Sequence, residues 1–207
     1  MNRTKSGHLS LACAVIVATA FFLALPKPAR ATFHLWQIDE VYSSADGTVQ
    51  FIEFENNSDF ENFLTNSSGL TSNANNYTFT TNLSSTSTTN KHFLVGTVGY
   101  ASIAGVPAPD YTVPNQFFSA AGDTLTLVGS LSGTITFTGA QLPTDGLNSL
   151  NRLYNGSTNS GFTSALNSPT NFAGNTGSVP EPTGIALVIS AGAILFINRR
   201  RRTAFHS

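Results

Sequence analysis

The chain reads His34-Leu35-Trp36-Gln37-Ile38-Asp39-Glu40-Val41-Tyr42, then Ser43-Ser44-Ala45-Asp46-Gly47, then Thr48-Val49-Gln50-Phe51-Ile52-Glu53-Phe54. The two outer runs are rich in strand formers, and Asp-Gly between such runs is a strong hairpin signal. With the turn centred on Asp46-Gly47, opposed residues sum to 93. Tyr42 then faces Phe51, Val41 faces Ile52 and Glu40 faces Glu53. The first two pairs are good cross-strand contacts. The third sets like charges opposite each other, which destabilises a sheet unless something offsets it. Trp36 alternates with Ile38 and belongs to the core.

Beyond the hairpin the chain changes character. Ser58-Asp59-Phe60-Glu61 has the pattern of a capping box and predicts one helical turn through Leu64. Residues 65–90 hold 21 Ser, Thr, Asn or Gly among 26, with Tyr77 to Thr81 as the one strand-like stretch and the remainder loop. Lys91 to Thr97 reads as a buried strand. Gly99 to Phe118 is a long connection carrying Pro107, Pro109 and Pro114. Thr124 to Val128 and Thr134 to Thr138 both alternate with period two. Leu147 to Leu153 is a weaker segment. No segment carries a long helical period. Short strands separated by Gly/Pro turns predict an all-β fold, a single antiparallel β-sandwich over residues 32–154. Residues 155–178, with 18 Ser, Thr, Asn or Gly among 24, read as a stalk or closing segment.

The two ends are different in kind. Arg3 and Lys5 precede an apolar run from Leu9 to Leu25, and Ala29-Arg30-Ala31 is an Ala-x-Ala cleavage site, so residues 1–31 read as a signal peptide. At the other end, Val179-Pro180-Glu181-Pro182 is followed by an apolar run from Gly184 to Ile197 and then Arg199, Arg200, Arg201 and Arg202. The run is 14 residues, short of the roughly 20 of an ordinary spanning helix. The arginines act as a stop-transfer signal on the cytoplasmic side, which leaves residues 203–207 as a cytoplasmic tail.

That triple arrangement over residues 179–202 resembles the PEP-CTERM sorting signal of Gram-negative bacteria that make extracellular polysaccharide. The resemblance implies exosortase as partner, a short transmembrane helix as an intermediate anchor, and delivery to the cell surface or outside the cell. A second resemblance is carried by Ile38-Asp39-Glu40-Val41, Phe51-Ile52-Glu53-Phe54, Ala121-Gly122-Asp123-Thr124-Leu125-Thr126-Leu127 and Ser168-Pro169-Thr170-Asn171. These look like lamin-tail-like domains, and imply an immunoglobulin-like sandwich with a non-catalytic surface role. Residues 56–118 depart from that pattern in length and composition.

Charge narrows the function further. Residues 32–178 carry ten carboxylates against Lys91 and Arg152 alone, a net charge of −8. That excludes nucleic acid and anionic lipid as partners and suits cations or neutral polysaccharide. The single cysteine, Cys13, lies in the signal region, so the exported domain has no thiol chemistry. Seven of the ten carboxylates lie within residues 39–61. Glu40 and Glu53, with Asp39, are the candidate metal ligands, calcium being the cation suited to oxygen donors. Asp59 and Glu61 are outer candidates. The same Glu pair has the spacing of a retaining glycosidase, but no cleft accompanies it. His34 and His92 sit in no catalytic motif. Trp36, Tyr42, Tyr77, Tyr100, Tyr111 and Phe117 are candidates for stacking on sugar, Tyr100 and Tyr111 above all. The expectation is an exported, non-enzymatic structural or adhesive protein of biofilm or exopolysaccharide, with a calcium- or carbohydrate-binding module as alternative and a secreted hydrolase as a distant one.

Overall fold

The hairpin forms with the expected register. Strands β1 (Gln37–Ser43) and β2 (Gln50–Asn56) pair Tyr42 with Phe51, Val41 with Ile52 and Glu40 with Glu53. A bulge at Asp39 then shifts the register, so that Ile38 faces Phe54. The extra residue lets Ile38 and Val41, three apart, both enter the core. It also brings Asp39 and Glu40 together on the opposite face. The computed structural model describes residues 33–66, 69–155 and 158–180. The signal peptide, Glu181, Pro182, the apolar run and the arginines lie outside the described residues.

Eight further strands follow: β3 (Gly69–Thr71), β4 (Asn76–Thr78), β5 (Lys91–Thr97), β6 (Tyr111–Val113), β7 (Gly122–Leu127), β8 (Thr134–Thr138), β9 (Asn148–Asn155) and β10 (Thr158–Leu166). One sheet has the order β10-β9-β1-β2-β5-β6 and the other β4-β3-β7-β8. The fold of the described residues is therefore all-β in two sheets. Among the described strands, pairing is antiparallel except for β5 with β6, which run parallel. The wholly antiparallel expectation is corrected there: the long connection after β5 carries the chain back before β6 begins. Within it α1 (Val98–Ala101) is capped by Thr97, whose hydroxyl accepts the Tyr100 N–H.

Three other expectations change. No helical turn forms at Ser58–Phe63. Phe60 has φ 67°, and the Glu61 carboxylate instead accepts the His34 and Leu35 N–H groups. A short 3-10 turn at Leu64–Asn66 is all that remains. Residues 65–90 supply β3 as well as β4. The boundary expected at residue 154 falls inside β9, and the fold continues through β10 to Pro180. Among the described residues no helix is long and apolar enough to cross a membrane.

The two sheets share one core. Phe93 sits at its centre, with Trp36 at 4.7 Å, Phe54 at 4.4 Å, Tyr111 at 6.0 Å and Phe79 at 6.1 Å between ring centroids. The Trp36 indole N–H donates to the Glu61 carbonyl (2.7 Å), as a buried indole requires. A second apolar cluster, Tyr42, Phe51, Leu94, Tyr100 and Val179, lies on the outer face of the six-stranded sheet. Gly96 makes room for it: a Cβ there would sit 2.6 Å from the Tyr100 ring. The aromatics expected to stack on sugar are therefore spent on packing. Trp36, Tyr42, Tyr100, Tyr111 and Phe117 are all buried, and Tyr77 is half-buried against the core.

Candidate functional site

The outer face of the six-stranded sheet carries a row of carboxylates. Pleating puts Glu40 of β1 and Glu53 of β2 side by side there, each 2 % exposed. Like charges in that position need partners, and the structure supplies them from a strap formed by residues 167–180. Glu40 accepts hydrogen bonds from the Ser149 hydroxyl, the Ser168 N–H (3.0 Å) and the Ser168 hydroxyl (3.3 Å). Glu53 accepts the Thr170 N–H (2.7 Å). Asp110, at the exposed rim, accepts the N–H groups of Leu94 (2.8 Å) and Phe172 (2.9 Å). Three carboxylates thus read the N–H groups of residues 168, 170 and 172, every second residue of an extended chain.

Beside this row, Asp39, Glu53 and His92 bring ligand atoms within 4.8 Å of one another. His92 Nδ1 lies 2.6 Å from Glu53 Oε1. The nitrogen has no aligned hydrogen-bond partner, so the contact acts as an ion pair. Glu55 is paired with His92 across β2 and β5. Arg152, 6 % exposed, donates from Nε to the Ile38 carbonyl and lies 5.0 Å over the Phe162 ring. Its two terminal nitrogens have no hydrogen-bond partner.

Burial dominates the electrostatics. It pushes Glu40 up to about 7, with Ser149 and Ser168 opposing. Burial, reinforced by Asp39, takes Glu55 to about 7. Burial also raises Asp39 and Glu53, while the Glu53 carboxylate raises His92. Arg152 is lowered by burial. A raised carboxyl keeps its proton in the fold after the unfolded chain has lost it, so its contribution to stability falls as pH rises from about 4.5 through 7. The raised His92 acts in the same direction, its contribution being lost as pH rises above 6.5. Asp46 and Asp145 are lowered by hydrogen bonds and lose their contribution only in stronger acid. The domain is therefore expected to melt higher at pH 5.5 than at pH 8, by roughly 4–8 °C for an effect on the order of 2 kcal/mol. A thermal melt across that range checks it, and a flat or rising profile contradicts it.

Of the three residues expected as metal ligands, Asp39 and Glu53 converge and Glu40 does not, because Ser149 and Ser168 occupy it. Asp59 and Glu61 lie elsewhere, bonded to the Thr88 and Thr89 N–H groups and to the His34 and Leu35 N–H groups respectively. Calcium takes six to eight oxygens. Here one Glu53 oxygen is committed to Thr170 and the third donor is an imidazole, so the set fits a zinc- or nickel-like ion better. His92 was missed in the sequence. The pairing of Glu55 with His92 would have found it, but no local motif fixes which strand lies beside β2. Asp110, Asn167 and Arg152 were missed for the same reason. Comparison of the chain with protein-family models, curated proteins and solved structures finds no match.

Proposed function

We propose that the chain is an exported cell-surface or extracellular-matrix protein, handed to exosortase by its C-terminal tail, with a non-catalytic structural or adhesive role in biofilm or exopolysaccharide. The observation that carries this reading is the use made of the buried carboxylates. Glu40 and Glu53 accept hydrogen bonds from a strap that runs to Val179 and Pro180, where the sorting-like motif begins. A glycosidase needs such a pair open to substrate and water, whereas here both oxygens of Glu40 and one of Glu53 are taken. The two sheets around one core support an immunoglobulin-like sandwich of the lamin-tail-like kind, with the parallel β5–β6 pair as a departure from it. The net charge of −8 over residues 32–178 supports a neutral rather than an anionic polysaccharide as the matrix partner.

The sorting reading is tested by replacing Pro180, Glu181 and Pro182 with alanine in cells that contain exosortase. The variant is expected to accumulate with the inner membrane while the parent reaches the surface. Equal surface levels of both would remove the reading.

A second reading, cation binding, is favoured by the convergence of Asp39, Glu53 and His92. Zinc or nickel at a hundredfold excess over Kd would stabilise the fold by about 2.7 kcal/mol, reversibly with chelator. His92→Ala is expected to abolish that shift. Calcium is expected to give none. A shift that survives His92→Ala would place the ion elsewhere.

A further inference from the structure

Three loops meet around an open cleft of about 410 Å³, the size of a small-ligand site. They are the β1–β2 turn, the β3–β4 turn and the connection from β6 to β7. Two buried polar side chains hold them in place. Asp123 accepts the N–H groups of Asn73 (2.7 Å) and Ser119 (2.8 Å). Gln50 donates to the Phe118 carbonyl (2.8 Å) and accepts its N–H (3.3 Å). The polar residues that line the cleft are held as well. Asn75 Nδ2 donates to the carbonyls of Phe117 (2.8 Å) and Gln116 (3.4 Å). The Gln116 N–H donates to the Gly47 carbonyl (2.8 Å) and its Nε2 to the Asp46 carbonyl (3.1 Å). Gln116 takes φ 57° there, a conformation uncommon for any residue but glycine. Asp46 Oδ1 accepts the Ser44 hydroxyl (2.6 Å), the Thr48 N–H (3.0 Å) and the Thr48 hydroxyl (2.8 Å).

These bonds spend the amide donors and one carboxylate oxygen. Asn75 Oδ1, Gln116 Oε1 and Asp46 Oδ2 accept no hydrogen bond among the described residues, and all three residues are exposed. A ligand for this cleft must therefore bring the donors. An anion is disfavoured by Asp46 and by the net charge of −8 over residues 32–178. Calcium takes six to eight oxygens, and the rim offers one unspent carboxylate oxygen. A neutral polyhydroxyl compound meets both conditions. We propose that the cleft binds a sugar residue of a neutral polysaccharide, its hydroxyls donating to Asp46, Asn75 and Gln116 and its ring resting on Ala74, Ala120 and Ala121. This deepens the matrix reading above and rests on it for the polymer. Recognition here differs from the aromatic stacking expected in the sequence. The Phe117 ring is in the core, and its carbonyl anchors Asn75.

The test uses the full-length chain in a detergent without a sugar headgroup. Its binding is measured to linear neutral glucan, mannan and galactan, to a tetrasaccharide of each, and to polygalacturonate as the anionic control. The parent is expected to bind at least one neutral polymer and its tetrasaccharide, and to ignore polygalacturonate. Asp46→Asn keeps an Oδ1 for Ser44 and Thr48 and turns the unspent acceptor into a donor. Ala74→Leu fills the cleft from an exposed turn position and removes no hydrogen-bonding side chain. Each is expected to weaken binding about tenfold, the loss of one charge-assisted hydrogen bond or its equivalent, with the near-ultraviolet circular dichroism of the parent. Neutral-polymer binding that both variants keep overturns the site and leaves the matrix reading standing. A parent that binds no neutral tetrasaccharide, or binds polygalacturonate alone, overturns the site. A tetrasaccharide bound by the parent and lost in both variants, with no retention on any polymer, upholds the site and removes the matrix reading alone.

Discussion

Phe93→Ala is expected to lower stability by about 3–5 kcal/mol, the range for emptying a buried aromatic site. Phe93 is fully buried and touches four aromatic rings, with Phe54 stacked against it and Trp36 presenting its edge. These rings come from the segment before β1, from β2, from the loop after β4 and from β6, so they cannot collapse together on the space left behind. In a domain of this size each kcal/mol is worth about 2–4 °C, and the melting temperature should fall by roughly 10–15 °C. Leu131→Ala is the comparison, since Leu131 is 79 % exposed; it should stay within about 0.5 kcal/mol of the parent. A fall of less than 5 °C for Phe93→Ala, or equal falls for the two variants, would mean that the core is not centred on Phe93.

Gly99→Ala should cost about 2–3 kcal/mol, although it adds only a methyl group. A Cβ at position 99 would lie 2.3 Å from the Thr48 carbonyl oxygen and 2.9 Å from its carbon. That neighbour is backbone in the β1–β2 turn, and its carbonyl already accepts the Thr97 hydroxyl (2.8 Å). The turn cannot give way without releasing the cap of α1, so α1 must move off the hairpin and take Tyr100 with it. The signature is local. Near-ultraviolet circular dichroism from Tyr42 and Tyr100 should change, while Trp36 fluorescence, which reports the other core, should not. A neutral melting temperature would mean that the approach of α1 to the turn is looser than the contact implies.

How much of this was legible in the sequence depends on the range of the interaction. The β1–β2 hairpin follows from Asp46-Gly47 and alternation, both local, and its register held down to the bulge at Asp39. Strands β5, β7 and β8 are likewise local patterns of apolar residues and came out within two residues of their expected bounds. Strand β10 and the strap were hidden by composition. Strand β10 is held by β9, whose own anchor is β1 far away in the chain, and the strap is held by carboxylates more than a hundred residues away, Glu40 for Ser168 and Glu53 for Thr170; no window of Ser, Thr, Asn and Gly records that. The candidate site divides in the same way. The clash of Glu40 with Glu53 was visible as a conflict, and the conflict marked where a long-range partner had to be. What resolves it, backbone N–H groups for one oxygen set and His92 for the other, required knowing that β5 lies beside β2 and that the strap crosses both. Tyr100 and Tyr111 were misjudged because a loop rich in proline looks exposed, whereas Gly96 and the Pro107 carbonyl (3.1 Å from the Tyr100 hydroxyl) form a seat for one ring.

The central claim is that this domain is carried outside the cell by its tail. The measurement that tests it most directly is fractionation with intact mass of the mature protein, in cells with and without exosortase. The account predicts surface-held or released protein that has lost residues 1–31 and ends between Pro180 and Gly184, and that stays uncut and membrane-held when exosortase is missing. A mass running through Ser207, with the protein in the inner membrane of both strains, would contradict it.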